Sequence, residues 1–246
     1  MKLVLLGTTG YHPNDLRQTA CFMLPEVGVV LDAGTAMFRV RDYLRTDTLD
    51  IFLSHAHLDH VIGLTYLLDV LYQKPMRRVT IHGAADKLAA IDEHLFSKDL
   101  FPIKLPHEFR PLTDPVALAG GGILTYFPLT HPGGSLGFRL DWPGHSLAYV
   151  TDTTAADDAP YLEHIRGVDL LVHECHFNDS FGDLAKLTGH SCLSPVARLA
   201  KAANVGRLIL VHINPLDVSS EPLDLSSARS IFPATEIGED RLEVLF

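Results

Sequence analysis

Short apolar runs bounded by Gly, Pro or Asp recur along the chain, and each reads as a strand. The first batch is Lys2–Leu6, Ala20–Leu24, Gly28–Leu31, Ile51–Leu53 and Val79–His82. A helix-like run from Val61 to Tyr72 precedes the last of these. After it, Leu88, Ile91 and Leu95 keep helical spacing over about Ala84–Phe96. A second batch follows: Phe109–Leu112, Val116–Leu118, Ile123–Pro128, Leu136–Leu140 and Ser146–Val150. Tight turns separate them, and Leu140-Asp141-Trp142-Pro143-Gly144-His145 has the composition of a hairpin. Val168–His173 and Arg207–Val211 are further strands. Between them, Ser194 as N-cap and Pro195 as first helical residue predict a helix to about Ala203, with Gly206 just beyond. Pro222–Phe232 reads as the last helix and Leu242–Phe246 as the last strand.

These elements pack most economically as one α/β domain over residues 1–246, with two sheets face to face and helices outside. Hairpin-linked strands in the middle favour antiparallel pairing and weigh against a doubly wound parallel sheet. No internal repeat or low-complexity tract stands out.

Composition narrows the function. The 246 residues carry a net charge of −10, and the strongest basic cluster is only Arg39, Arg41 and Arg45. That balance weighs against an extended nucleic-acid-binding face. A small anionic substrate stays open, because bound metals supply local positive charge. Cys21, Cys175 and Cys192 form no disulfide framework and read as reduced, mostly buried thiols. The apolar start Met1–Gly7 is too short for a secretory h-region, and no apolar stretch is long enough for a membrane span. A cytoplasmic protein is expected.

The densest chemistry lies in Ser54-His55-Ala56-His57-Leu58-Asp59-His60. Four potential metal ligands fall there in the pattern H-x-H-x-D-H, in a loop between a buried strand and a helix-like run. His and carboxylate donors suit zinc, and also iron or manganese. Three further candidates share one grammar: an apolar run, then a ligand-type residue, then a turn. They are His131 in Leu129-Thr130-His131-Pro132, Asp152 in Val150-Thr151-Asp152-Thr153, and His212 in Leu210-Val211-His212-Ile213.

Together these seven residues, in four separated segments, resemble the metallo-β-lactamase superfamily over nearly the whole chain. The resemblance implies a four-layer αββα sandwich of two mixed sheets. It implies two divalent metal ions, zinc first, with manganese or iron as alternatives. His55, His57 and His131 would hold one; Asp59, His60 and His212 would hold the other; Asp152 would bridge them. Asp59 is counted with the catalytic groups as well. Within the superfamily the chain looks most like the ribonuclease Z branch and its phosphodiesterase relatives. Gly7-Thr8-Thr9-Gly10 resembles that branch's first glycine-rich loop, Val172-His173-Glu174-Cys175-His176-Phe177 its His-Glu-Ala-Thr loop, and Thr188-Gly189-His190-Ser191 its Gly-His-Ser/Thr loop. By that likeness Glu174 and His190 pair to protonate the leaving oxygen. Dimers are common in the family.

Two departures bear on substrate. The tRNA-processing members carry a long Gly/Pro-rich arm, in the bacterial form between the segments matching His131 and Asp152. Here a hairpin fills that interval. His212 is also followed by Ile213-Asn214-Pro215, where the branch tends to carry an aromatic and a Ser.

Two cations about 3.5–4 Å apart can share a hydroxide, which makes a nucleophile available near neutral pH. With Asp59, Asp152 and the hydroxide counted, about one positive charge is left over, which favours an anionic substrate. The leading expectation is therefore a metal-dependent phosphodiesterase using a metal-bridging hydroxide on a small phosphodiester or cyclic phosphate. The alternatives are a lactone or thioester hydrolase, a ribonuclease Z-like nuclease acting on RNA, and a non-enzymatic metal- or redox-binding module. Among the other histidines, His82 reads as structural packing. His173 and His176 read as groups that orient ligands, and His12 as a turn residue bordering the pocket. His94, His107, His145 and His164 read as solvated.

Overall fold

The computed structural model describes every residue from Met1 to Phe246. Fourteen strands form two mixed sheets of seven strands each. The first sheet contains β1 (Lys2–Gly7), β2 (Cys21–Leu24), β3 (Val29–Leu31), β4 (Thr48–Phe52), β5 (Arg78–Gly83) and β6 (Glu108–Pro111). The second contains β7 (Val116–Leu118), β8 (Gly122–Leu129), β9 (Ser135–Trp142), β10 (His145–Val150), β11 (Leu170–Glu174), β12 (Arg207–Val211) and β13 (Thr235–Ile237). The last strand, β14 (Leu242–Leu245), returns to the first sheet and pairs with β1.

Period-two alternation sorts these strands' side chains into separate cores. Leu3 and Leu5 join Phe22, Phe52, Phe138 and Tyr149 between the sheets. Val4 and Leu6 point the other way, to a core under the helices of the first sheet with Met37, Ile51 and Leu67. A third core joins Val150, Leu171 and Leu210 to Val196 and Leu199 of a covering helix. The architecture is therefore an αββα sandwich, as expected. Strands buried on both faces explain the near-continuous apolar runs in the sequence.

Seven short helices cover the outer faces: α1 (Val40–Tyr43), α2 (Leu58–Val61), α3 (Leu67–Leu71), α4 (Ala85–Ala90), α5 (Gly182–Thr188), α6 (Leu193–Ala202) and α7 (Leu225–Ile231). None is long and apolar enough to cross a membrane.

Three local expectations are corrected. The run Val61–Tyr72 is not one helix, because a 3₁₀ segment over Ile62–Tyr66 separates α2 from α3. The cause is Gly63, which packs so closely on the Ala33–Gly34 backbone that a Cβ would lie 2.1 Å from the Gly34 carbonyl oxygen. Ser194 is not the N-cap of α6; Cys192 occupies that place. Asp179 caps the helix from outside, accepting from the Ser194 amide at 2.9 Å and its hydroxyl at 2.5 Å. Pro195 then falls third in the helix, where a missing N–H is still harmless. The last helix is also shorter than Pro222–Phe232, starting after Asp224, whose side chain accepts from the Ser227 amide.

The two sheets share one topology, although no sequence repeat marks it. In each, three antiparallel pairings give way to three parallel ones. The switch falls at β3 in the first sheet and β10 in the second. Loops following the strand ends beside such a switch are where α/β sheets form their binding sites, and the candidate residues lie there.

Candidate metal centre

In the first half, β4 delivers the chain into the loop Leu53–His60. Ser54 and His55 are buried, whereas His57 is exposed. A fully buried carboxylate, Asp32 at the end of β3, organises this loop. Its Oδ1 accepts from the Ser54 amide at 2.7 Å. Its Oδ2 accepts from the Ser54 hydroxyl at 2.8 Å, His60 Nδ1 at 2.8 Å and the Tyr149 hydroxyl at 2.7 Å. Since Ser54 spends its proton on Asp32, its oxygen accepts from His55 Nδ1 at 2.9 Å. Both imidazoles are thereby fixed through Nδ1 with Nε2 turned inward. Fixing the tautomer through the other ring nitrogen is the usual way a ligating His is oriented.

In the second half the candidates arrive singly. His131 follows β8, and its Nδ1 donates to the Gly189 carbonyl at 3.0 Å. Asp152 follows β10 and His212 follows β12, both with left-handed backbones, at φ 44° and 58°. Such strain at non-glycine residues survives only where the surroundings impose it. At His212 the imposition is visible. The ring lies flat against Gly10, where a Cβ would come 2.1 Å from Cε1.

The two sources converge in two sets. One donor atom each from His55, His57, His131 and Asp152 lie within 4.8 Å of one another, as do those of Asp59, His60 and His212. Asp152 sits between the sets. Its Oδ2 is 3.5 Å from Nε2 of both His55 and His131. Its Oδ1 is 3.2 Å from His60 Nε2 and 3.3 Å from His212 Nε2. Asp59 Oδ2 is 3.4 Å from His60 Nε2 and accepts from the Tyr11 amide at 2.7 Å.

These donors suit bound cations on three counts. His55 Nε2 is buried without a hydrogen-bond partner, which is costly unless something takes its lone pair. Burial lowers the pKa of His55, His57 and His131, so these imidazoles stay neutral, the ligating form. Burial also opposes charge on His60, yet Asp152, Asp59 and Asp32 outweigh it and raise its pKa well above the usual value. The site thus draws positive charge. Burial likewise raises the Asp59 carboxyl, but His60 and His212 more than reverse this and hold it far below the usual range.

Beside the cluster, Glu174 at the end of β11 is fully buried and accepts from the amides of Thr153 at 2.8 Å and Ser191 at 3.2 Å. His190 Nδ1 donates to its Oε1 at 3.1 Å. Burial works against a charge on His190, but Glu174 prevails and pushes its pKa up to about 9. His190 is therefore an imidazolium at neutral pH. It lines an open trough of about 750 Å³ together with His57, Asp59, His131, Asp152 and His212.

His12 borders the same trough, as expected. His82 is structural: its Nε2 meets Asp50 at 2.9 Å and its ring stacks on Phe52. His176 donates from Nδ1 to the His212 carbonyl at 3.0 Å and stacks on His190. His173 is corrected, because it turns away and pairs with the Tyr161 hydroxyl at 2.9 Å. His107 is corrected too: it is half-buried against Phe96 and Phe109 rather than solvated. Asp32, Ser54 and Tyr149 went unnoticed in the sequence. Leu31-Asp32-Ala33-Gly34 has the same strand, acid and turn grammar that exposed Asp152.

The comparisons with known proteins agree with this geometry. A profile described as a beta-lactamase superfamily domain matches residues 28–213. The chain belongs to that superfamily and is a hydrolase of the metallo-β-lactamase fold. It is 28% identical to ribonuclease Z of Bradyrhizobium sp. (strain ORS 278), covering 97% of each chain over 301 aligned positions. Among solved structures it resembles the metallo-beta-lactamase fold protein YhfI from Bacillus subtilis (TM-score 0.82, 21% identity, 99% of each chain). It also resembles the short form of human tRNase Z (TM-score 0.77, 20% identity, 100% of this chain and 99% of the other).

Proposed function

We propose that the chain, acting as one catalytic unit over residues 1–246, is a binuclear metal-dependent phosphodiesterase for a small phosphodiester or cyclic phosphate. The observation that carries this is Asp152, with one carboxylate oxygen toward each set of imidazoles and the His190–Glu174 pair on the same trough. His55, His57 and His131 would hold one divalent ion; Asp59, His60 and His212 the other; Asp152 both. The nitrogen-rich donor set favours zinc, with manganese or iron next. When bound, such ions activate water and stabilise charge on a phosphoryl group.

The remaining work falls to the chain. Glu174, pinned by two backbone amides, fixes the His190 ring through Nδ1, which leaves the Nε2 proton for the departing alkoxide. Asp32 and Ser54 hold the His60 and His55 rings through Nδ1, which turns both Nε2 atoms toward the site.

Processing of RNA is the second reading, favoured by the ribonuclease Z relative. Three features weigh against it: the net charge of −10, a trough lined by no Lys or Arg, and the hairpin β9–β10 between His131 and Asp152. The alignment of 301 positions also exceeds the 246 residues here, so at least 55 positions belong to the relative alone.

The deciding experiment offers metal-loaded protein bis(4-nitrophenyl) phosphate, cyclic nucleotides, a homoserine lactone, a glutathione thioester and a precursor tRNA. Diester or cyclic phosphate turnover is expected. Lactone or thioester turnover without it would overturn the proposal, and tRNA cleavage as the main activity would establish the second reading.

A further inference from the structure

Tyr11 and Leu58 are large apolar residues left 78% and 66% exposed, and both line the trough. Both adjoin Asp59. Leu58 precedes it in sequence, and the Tyr11 amide donates to its Oδ2 at 2.7 Å. Tyr11 has φ 62°, and the His12 amide bonds back to the Gly10 carbonyl at 2.7 Å. This is a γ-turn of the rare positive-φ kind, strained for a residue with a side chain. The chain thus holds an aromatic ring at the lip of the site in an unfavourable conformation, when glycine would suit the turn better. The same lining offers a substrate no Lys or Arg. A second phosphate would find no cationic side chain there, and the −10 net charge of the chain repels polyanions.

We infer that Tyr11 and Leu58 form a subsite for a flat aromatic substituent, such as a nucleobase or aryl group, on a singly charged phosphodiester. The inference rests on the phosphodiesterase reading and adds the substrate class. Stacking and apolar contact at the lip would hold the group that stays on phosphorus while the leaving oxygen faces His190. Aromatic contacts of this kind change affinity by several-fold.

The test compares phenyl 4-nitrophenyl phosphate with methyl 4-nitrophenyl phosphate, which share a leaving group and differ only in the retained substituent. The wild type is expected to favour the phenyl ester about tenfold in kcat/KM. Tyr11→Gly suits the turn and removes the ring, and Leu58→Ala removes the second apolar contact. Each should cut the preference about threefold, the pair should bring it near unity, and Tyr11→Phe should keep it. Metal content is measured alongside; if Tyr11→Gly loses metal, Leu58→Ala carries the comparison alone. 4-Nitrophenyl phosphate, a dianion, should react at least about tenfold more slowly than the phenyl diester. An unchanged phenyl-to-methyl ratio in the double variant would overturn the subsite, and faster turnover of the dianion would overturn the charge selection. Absence of turnover of either diester by metal-loaded wild type would instead remove the phosphodiesterase reading on which both depend.

Discussion

Asp32 and Asp152 occupy equivalent places in the two sheets, yet they do different work. Each follows the strand where antiparallel pairing turns parallel, and each has a left-handed backbone, at φ 56° and 44°. Asp32 faces the protonated Nδ1 side of His60 and the hydroxyls of Ser54 and Tyr149. Asp152 faces the Nε2 side of His55, His60, His131 and His212. One carboxylate holds ligand-type residues in place and the other sits among them. Tyr149, from the second sheet, reaches Asp32 of the first and ties the two ends together beneath the site. The same place in the topology holds a carboxylate that orients candidate ligands in one half and a carboxylate that sits among them in the other.

That contrast can be broken by substitution, starting with the largest effect. Asp152→Ala should weaken both sets at once, leaving about one metal ion or fewer per chain and lowering kcat/KM roughly a thousandfold. Metal analysis with steady-state kinetics checks this, and retention of two ions would remove Asp152 from its bridging place. His190→Ala should leave metal content intact and cost about a hundredfold with alkoxide leaving groups, but little with nitrophenolate, which needs no acid. The sign with pH follows from the raised pKa. His190 stays protonated up to about 9, so alkoxide expulsion should fall only above that value, while nitrophenolate release should not follow it. Equal losses for both leaving groups would take the acid role from His190.

Asp32→Asn and Gly10→Ala address the supports. Asp32→Asn removes the charge and leaves one acceptor oxygen for the four donors that meet Asp32, which loosens His60, and Gly10→Ala pushes the His212 ring out of place. Each should weaken metal binding about ten- to a hundredfold, measured by competition with a chromogenic chelator. If Asp32→Asn proved as damaging as Asp152→Ala, the division between scaffold and centre would fail. The smallest effect is expected at Asp50, which pairs with Arg78 and His82 far from the chemistry in role. Asp50→Asn should cost about 1–2 kcal/mol in denaturant melts and leave activity alone. Burial raises the Asp50 carboxyl, but His82 and Arg78 reverse this and hold it below the usual value. Its contribution is therefore present above the unfolded pKa of about 3.9 and is lost as pH falls through the folded value, a loss the variant should not show.

Near-neighbour information was legible in the chain. Alternating and continuous apolar runs marked most strands, and the H-x-H-x-D-H cluster announced its chemistry because four donors on one short loop need no fold to bring them together. His131, Asp152 and His212 were legible only by their place at strand ends and by family likeness. Asp32 shared that place and was overlooked, because a lone acid after a strand carries no mark of what it will meet. His173 looked equivalent to His176 from sequence, yet His173 lies within β11 and His176 in the loop beyond it, so their rings meet different neighbours, Tyr161 and His190.

The sequence by itself determined the two-sheet architecture and the class of donors, since both rest on spacing a few residues apart. Only the tertiary structure decided which oxygen of Asp152 faces which imidazoles, that Gly10 backs His212, and that Tyr149 of the second sheet reaches Asp32 of the first. Those relations join residues from opposite sheets, and contacts across such distances are set by how the layers pack rather than by any local preference of the chain.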